Sequence, residues 1–161
     1  KSGRLVIEAL RSGVEMNALE RFMNVDDVAI LRPVGLYGSR KDASGRAPCY
    51  DENSEELTAS IVRVLGFVGK QYDFNFDIEE SEKIVCSEIA YHTYPTIRFP
   101  VEKALGRYTT SPDNVAAMLF EPSKGGREPP LELISFYHDG AKVPAGEALP
   151  LLKTLMSPEK P

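Results

Sequence analysis

The stretch YDFNFDIEESEKIVCSEIAYHTY, residues 72–94, constrains the fold most, because its apolar periodicity changes partway along. Tyr72, Phe74, Phe76 and Ile78 alternate with Asp73, Asn75, Asp77 and Glu79. Period two predicts a strand with its aromatic face on a core and its acidic face in water. After the polar segment from Glu79 to Glu82 the spacing becomes helical. Ile89, Ala90 and Thr93 stand at i+3, i+4 and i+7 from Cys86. Cys86 is therefore predicted to open a short helix and to start its buried stripe.

The acidic half of this stretch also has the look of a calcium loop, and that reading fails. A loop starting at Asp73 needs glycine at its sixth position and a bidentate glutamate at its twelfth. Ile78 and Ile84 stand there instead. Neither Cys49 nor Cys86 belongs to a CxxC or Cys/His zinc pattern, so no metal and no cofactor is expected.

Elsewhere the pattern is that of a mixed chain. Residues 5–10, LVIEAL, read as a strand followed by a turn at 12–13, residues 18–24 as a short helix, and residues 27–33 as a strand stopped by Pro33. Residues 34–51 lack periodicity and read as a loop. Leu57, Ile61, Val64, Leu65 and Val68 repeat at helical spacing, with Asn53 or Ser54 available as cap. The two prolines of YPTIRFP, 94–100, predict extended chain. Ser111 and Pro112 open a helix over 110–120, and 121–130 is a connector. Residues 131–143 read as a hairpin turning at Asp139-Gly140, and 145–156 as a last helix containing Pro150. Strands and helices without strict βαβ alternation predict an α+β fold. A single domain over 1–161 is expected, with the hairpin and helix of 121–161 as a C-terminal addition. At that length a domain buries roughly 70% of its unfolded surface and needs no disulfide or metal staple.

A net charge of −5, with no basic run longer than two residues, argues against a nucleic-acid partner. No apolar stretch approaches the roughly 18 residues of a membrane span.

A cysteine at a helix N-terminus sits where free N–H groups and the helix dipole favour a thiolate. The same amides can hold an oxyanion. The competing reading is a small buried hydrophobe. A thiolate nucleophile needs a base, and the chain has two histidines. His92 would lie about 9 Å along the helix and roughly 120° around it from Cys86, and cannot face the sulfur. His138, on a strand, could reach across, although a strand histidine flanked by aromatics is more often structural.

Four pieces together carry a resemblance: VIEA at 6–9, GVEMNALERFMNVDDVAILRP at 13–33, VGKQYDFNFD at 68–77 and CSEIAYHTY at 86–94. In this order and spacing they resemble the permuted papain-like peptidase/amidase family, the YiiX-like branch of the NlpC superfamily. The likeness spans residues 4–94 and continues at TTSPDNVA. It implies a circularly permuted papain-like core, with an antiparallel sheet packed on the helix that carries the cysteine. By resemblance Cys86 is the nucleophile and Glu8 the acid that orients the catalytic imidazole, as the acid does in a Ser-His-Asp triad. Glu8 alternates with Val6 and Leu10, a carboxylate on an otherwise apolar strand face, and an edge glutamate in water is the alternative. Tyr72 and Asp73 are implied to line the cleft as substrate-binding residues. Arg32 also matches and is expected in a buried ion pair, whereas Cys49 matches nothing.

The family's histidine strand precedes its counterpart of LVIEA, which places it ahead of Lys1. The chain starts at Lys1 rather than Met and is read as processed or excised, and as a poor catalyst if complete. The resemblance implies hydrolysis of an amide bond in a peptide or acylated amine or lipid of the cell envelope, and an envelope or periplasmic location. A non-catalytic relative that binds such a ligand in the same cleft is the alternative, and an enzyme using His138 as base is a third. The Cys86 helix is expected on a sheet containing both 5–10 and 27–32, with Glu8 pointing into the cleft of the Cys86 sulfur.

Overall fold

A computed structural model describes residues 3–34, 55–80, 82–104, 106–120 and 129–156. Strand β1, Leu5–Leu10, turns through two residues into β2, Gly13–Ala18, and the pair is antiparallel from Leu5↔Ala18 to Leu10↔Gly13. The predicted short helix follows as α1, Leu19–Phe22, and the second strand as β3, Asp27–Pro33. Helix α2, Glu55–Leu65, starts with Glu55 and Glu56 at its positive end. Asn53, Ser54 and Cys49 lie outside the described residues, as do most of the predicted loop and of the connector.

Two short strands come next, β4 (Gln71–Tyr72) and β5 (Lys83–Ile84), paired parallel. Helix α3 runs over Cys86–Thr93. Pro95 follows it, and residues 94–97 form a turn closed by the Ile97 N–H on the Tyr94 carbonyl at 3.0 Å, where extended chain was expected. This turn brings Ile97 and Phe99 into the core. An unanticipated hairpin follows, β6 (Glu102–Ala104) with β7 (Arg107–Thr109). Helix α4, Pro112–Ala117, is capped as expected: Ser111 Oγ accepts the Asn114 N–H at 3.1 Å. The last elements are β8 (Leu131–His138), β9 (Ala141–Lys142) and α5 (Ala145–Met156). Asp139 and Gly140 turn the β8–β9 hairpin with φ of 48° and 73°, as the Asp-Gly pair predicts.

Helices with mostly antiparallel strand pairs make an α+β architecture. Residues 5–10 and 27–33 do not share a sheet, contrary to expectation. The two-residue turn commits β1 to β2, whereas β3 pairs along its whole length with β8, in the order β3-β8-β9. The C-terminal hairpin thus supplies the middle strand beside β3.

Two apolar clusters form the core. One gathers Phe136, Leu131, Ala148, Leu152, Ile97, Phe99 and the Met118–Leu119 pair; the other gathers Ala9, Val14, Ile84 and Ile89. Helix α3 belongs to both, because Ile89 lies in the second while Ala90, Tyr91 and Tyr94 pack on the first. Helix α2 supports it from the side. Arg63 donates to the Thr93 carbonyl at 3.0 Å, satisfying an acceptor that the end of α3 leaves open. The predicted α2 stripe is only partly used: Leu57 and Val64 are half-buried, while Ile61, Leu65 and Val68 stay exposed. No helix among the described residues is long and apolar enough to cross a membrane.

The β1–β2 turn closes against the end of the α2 segment. Val14 N–H donates to the Lys70 carbonyl at 2.9 Å, and Gly69 N–H to the Val14 carbonyl at 2.9 Å. Gly13 has φ +122°, and a Cβ there would stand 2.6 Å from the Lys70 oxygen. Gly13→Ala is expected to lower unfolding free energy by about 2 kcal/mol, from backbone strain and collision together. Urea unfolding checks this, with Gly146→Ala, where a Cβ meets nothing within 4 Å, as the comparison.

Candidate active site

Tyr72 lies opposite Ile84, and the Asp73 N–H donates to the Ile84 carbonyl at 3.3 Å. Ile84 and Val85 are both buried, and Val85 is extended (φ −102°, ψ 168°) as the residue preceding the helix. Cys86 is therefore the first residue of α3, as its spacing predicts. It is exposed, however, and does not start the buried stripe, which holds Ser87, Glu88, Ile89 and Thr93. The Ile84–Val85 pair already fills the core beneath the helix start, so the first helical side chain is left outside. The N–H groups of this first turn have no acceptor four residues back within the helix.

The strand predicted over 72–78 stops at Tyr72. Asp73 takes over the backbone: Oδ1 accepts the Asn75 N–H at 2.8 Å, and Oδ2 accepts the Asp77 N–H at 2.6 Å. Local side-chain acceptors of this kind compete with sheet pairing and win where the partner strand is short. The faces are consequently mixed: Ile78 is buried and Asn75 exposed as the alternation predicts, but Asp73, Phe74 and Phe76 depart from it. Asp73 is wholly buried (0% exposed), whereas Phe74 (64%) and Phe76 (48%) face solvent. Both rings lie against Tyr72, with centroids at 5.0 and 6.3 Å. Burial raises the Tyr72 hydroxyl pKa, with the charges of Cys86 and Glu88 next in effect, so this ring stands at the Cys86 end of the helix.

Glu8 is placed differently. Ala9 and Ile7 pack with Ile84 and Ile89, so the alternation of β1 puts Glu8 on the face turned away from α3. There Glu8 Oε1 accepts from Asn17 Nδ2 at 2.8 Å. Tyr72 and Asp73 are brought to the start of the Cys86 helix; this placement does not bring Glu8 there.

Sequence reasoning missed Glu88. It is fully buried, its Oε2 accepts the Val85 N–H at 3.0 Å, and its Oε1 has no hydrogen-bond partner among the described residues. Burial raises its pKa, Asp73, Asp77 and Glu80 add to the rise, and the Val85 N–H opposes it. The signal was present: a glutamate three residues after the helix cap is the capping-box position.

The histidines are engaged elsewhere. His92 is half-buried beside the rings of Tyr91 (5.1 Å) and Phe67 (6.2 Å), and burial, with Lys70, lowers its pKa. His138 Nδ1 is 2.7 Å from Asp27 Oδ1, and that hydrogen bond raises its pKa. Among the described residues, no hydrogen bond joins either ring to Cys86. Arg32 pairs with Glu132 across β3 and β8 at 3.7 Å, its side chain 14% exposed. No group of three His, Cys, Asp or Glu among the described residues is arranged to hold a metal ion.

No curated protein and no solved structure matches the chain. One family model does, that of the permuted papain-like amidase enzymes, YaeF/YiiX, C92 family, over residues 1–143. That match takes in both strand systems, the Cys86 helix and the turn that carries Tyr72 and Asp73, and a family of amidases supports a hydrolase. The chain belongs to the permuted papain-like amidase family typified by YaeF and YiiX.

Proposed function

We propose that the chain is a cysteine hydrolase that cleaves an amide bond in a peptide or acylated amine of the cell envelope, with Cys86 as nucleophile. The observation that carries this reading is an exposed cysteine at the first position of a helix anchored by buried Ile84 and Val85. In the reaction the Cys86 sulfur, its proton passed to a base, attacks the amide carbonyl carbon. The carbonyl electron pair moves to oxygen, where helix-start N–H groups can receive the charge. The C–N bond then breaks as the amine leaves with the proton held by the base. Water attacks the resulting thioester, releasing the carboxylic acid and restoring the thiol.

Tyr72 and Asp73 serve substrate binding in this proposal, Tyr72 directly and Asp73 by fixing the turn behind it. Glu88 supports the nucleophile by holding the helix start, its Oε2 accepting the Val85 N–H. Glu8 enters only through the family pattern, and a Glu8→Gln variant with full turnover would remove it. A second reading, a non-catalytic relative binding its ligand in the same cleft, is favoured by the engagement of His92 and His138 away from Cys86.

Amine release from a panel of N-acylated dipeptides, followed by mass spectrometry, tests the two. Cys86→Ala is expected to lower turnover by at least about a thousandfold, the scale of losing a covalent nucleophile. His138→Ala is expected to keep it within about twofold; a loss comparable to Cys86→Ala would make His138 the base. Turnover that survives Cys86→Ala would end the hydrolase assignment to this cysteine, and binding without turnover would favour the second reading.

Glu88 generates a pH prediction. It holds its proton more tightly folded than unfolded, so its burial costs stability progressively as pH rises from the ordinary carboxyl value, about 4.3, through its raised one. Glu88→Gln keeps an acceptor for the Val85 N–H and lacks this loss. Relative to wild type, the variant is expected to gain stability as pH rises through that window, measured by urea unfolding between pH 4 and 8. A difference that does not change with pH would mean that folding leaves the Glu88 pKa unshifted.

A further inference from the structure

Strand β8 has two edges, and only one of them is paired along its length. On one side it meets β3 from Pro33↔Leu131 to Asp27↔His138. On the other, β9 offers two residues, and pairing ends where the Phe136 carbonyl accepts the Val143 N–H at 2.8 Å. The backbone groups of residues 131–135 that point away from β3 make no hydrogen bond among the described residues. A row of unpaired N–H and C=O groups is a template for a further strand.

A cavity of about 740 Å³ follows this edge, within the range of roughly 300–1,000 Å³ in which proteins hold ligands. Every residue from Leu131 to Phe136 lines it, so it runs along the edge of the strand rather than over one face of the sheet. Val143, Ala148 and Leu149 add an apolar wall. The two charged lining residues differ. Glu132 is matched by Arg32 at 3.7 Å, whereas Lys142 makes no ion pair among the described residues. Lys142 stands opposite Tyr137, which is about 17 Å along the strand from Glu132.

We propose that the open edge of β8 takes an extended peptide segment of another protein as an added strand, with an acidic residue of that segment meeting Lys142. Two features choose this occupant. Backbone groups at strand spacing are satisfied by another extended backbone, and a ligand without alternating donors and acceptors would desolvate them unpaired. The unmatched Lys142 ammonium is complementary to a carboxylate. A second copy pairing through the same edge would bring only Glu132 from among these lining residues, and Arg32 already engages it. Main-chain bonds then supply affinity, and alternate side chains entering the cavity supply selectivity. Neither α3 nor the turn held by Asp73 lines the cavity, so this edge is a site apart from Cys86.

Fluorescence anisotropy tests the edge with four labelled, end-blocked hexapeptides of alternating threonine and valine and one terminal aspartate. The four cover both side-chain registers and both strand directions. At least one is expected to bind saturably, with a Kd of about 100 μM or tighter. Methylating the backbone nitrogens of that peptide is expected to abolish binding, because it removes the donors of the added strand. Lys142→Glu is expected to weaken binding about fivefold, and lysine in place of the peptide's aspartate to recover it. Lys142 is exposed, so the fold is kept. The peptide is also expected to slow amide exchange within 131–135, and Cys86→Ala to bind as the wild type does. No saturable binding by any of the four, binding indifferent to backbone methylation, or a Lys142→Glu loss that charge reversal does not recover would overturn the proposal. Exchange within 131–135 that slows with protein concentration alone would give the edge to a second copy and overturn it as well. Loss of binding in Cys86→Ala would place the peptide at the cysteine instead.

Discussion

The buried Asp73 carboxylate is the interaction on which the site depends. Removing a carboxylate from water is costly unless its oxygens find donors, and here the Asn75 and Asp77 N–H groups supply one to each oxygen. With those amides committed, the chain cannot continue as a strand past Tyr72. It bends, and the pairing of Tyr72 with Ile84 becomes the short link that delivers Val85 and Cys86 to the helix start. The same bend carries Phe74 and Phe76 out to solvent. One side chain thereby sets both where the cysteine emerges and what surrounds it.

Helix α3 has only eight residues, too short to be stable alone, and its order comes from what it touches. Ile89 enters the cluster of the first hairpin, while Tyr91 and Tyr94 pack on the cluster beneath β8 and α5. Arg63 closes its C-terminus and Glu88 its N-terminus. The strand systems β1–β2 and β3–β8–β9 remain separate sheets, and the cysteine helix is the element common to both cores.

Acidic groups gather around Glu88 at the start of α3. Burial, with Asp73, Asp77 and Glu80, raises the Glu88 pKa against the opposing Val85 N–H. The histidines respond to other surroundings: His92 to an aromatic, half-buried niche, and His138 to Asp27 at the edge of the larger sheet. Their opposite shifts follow directly, since burial disfavours the imidazolium and a carboxylate favours it.

Local signals were enough wherever structure is decided by neighbours in the chain. The Cys86 helix start, the Ser111 cap and the Asp139-Gly140 turn were all legible, because caps and turns are satisfied within a few residues. The motif order was legible too, and the family match agrees with it. What failed was the assignment of faces. Period two over 72–78 cannot reveal that Asp73 will use its own oxygens to end the strand, nor that β5 offers a partner only two residues long. The pairing of β3 with β8 joins segments about a hundred residues apart, and a hydrophobic pattern names no partner at that separation. Glu88 was visible as a capping residue but not as a wholly buried one, because its burial comes from the surrounding fold rather than from α3 alone. The amino-acid sequence thus determined which residue opens the helix, since capping is local. Only the tertiary structure decided that Cys86 would be exposed, that Asp73 would be buried and that the phenylalanines would face outward, because burial is a property of distant segments brought together.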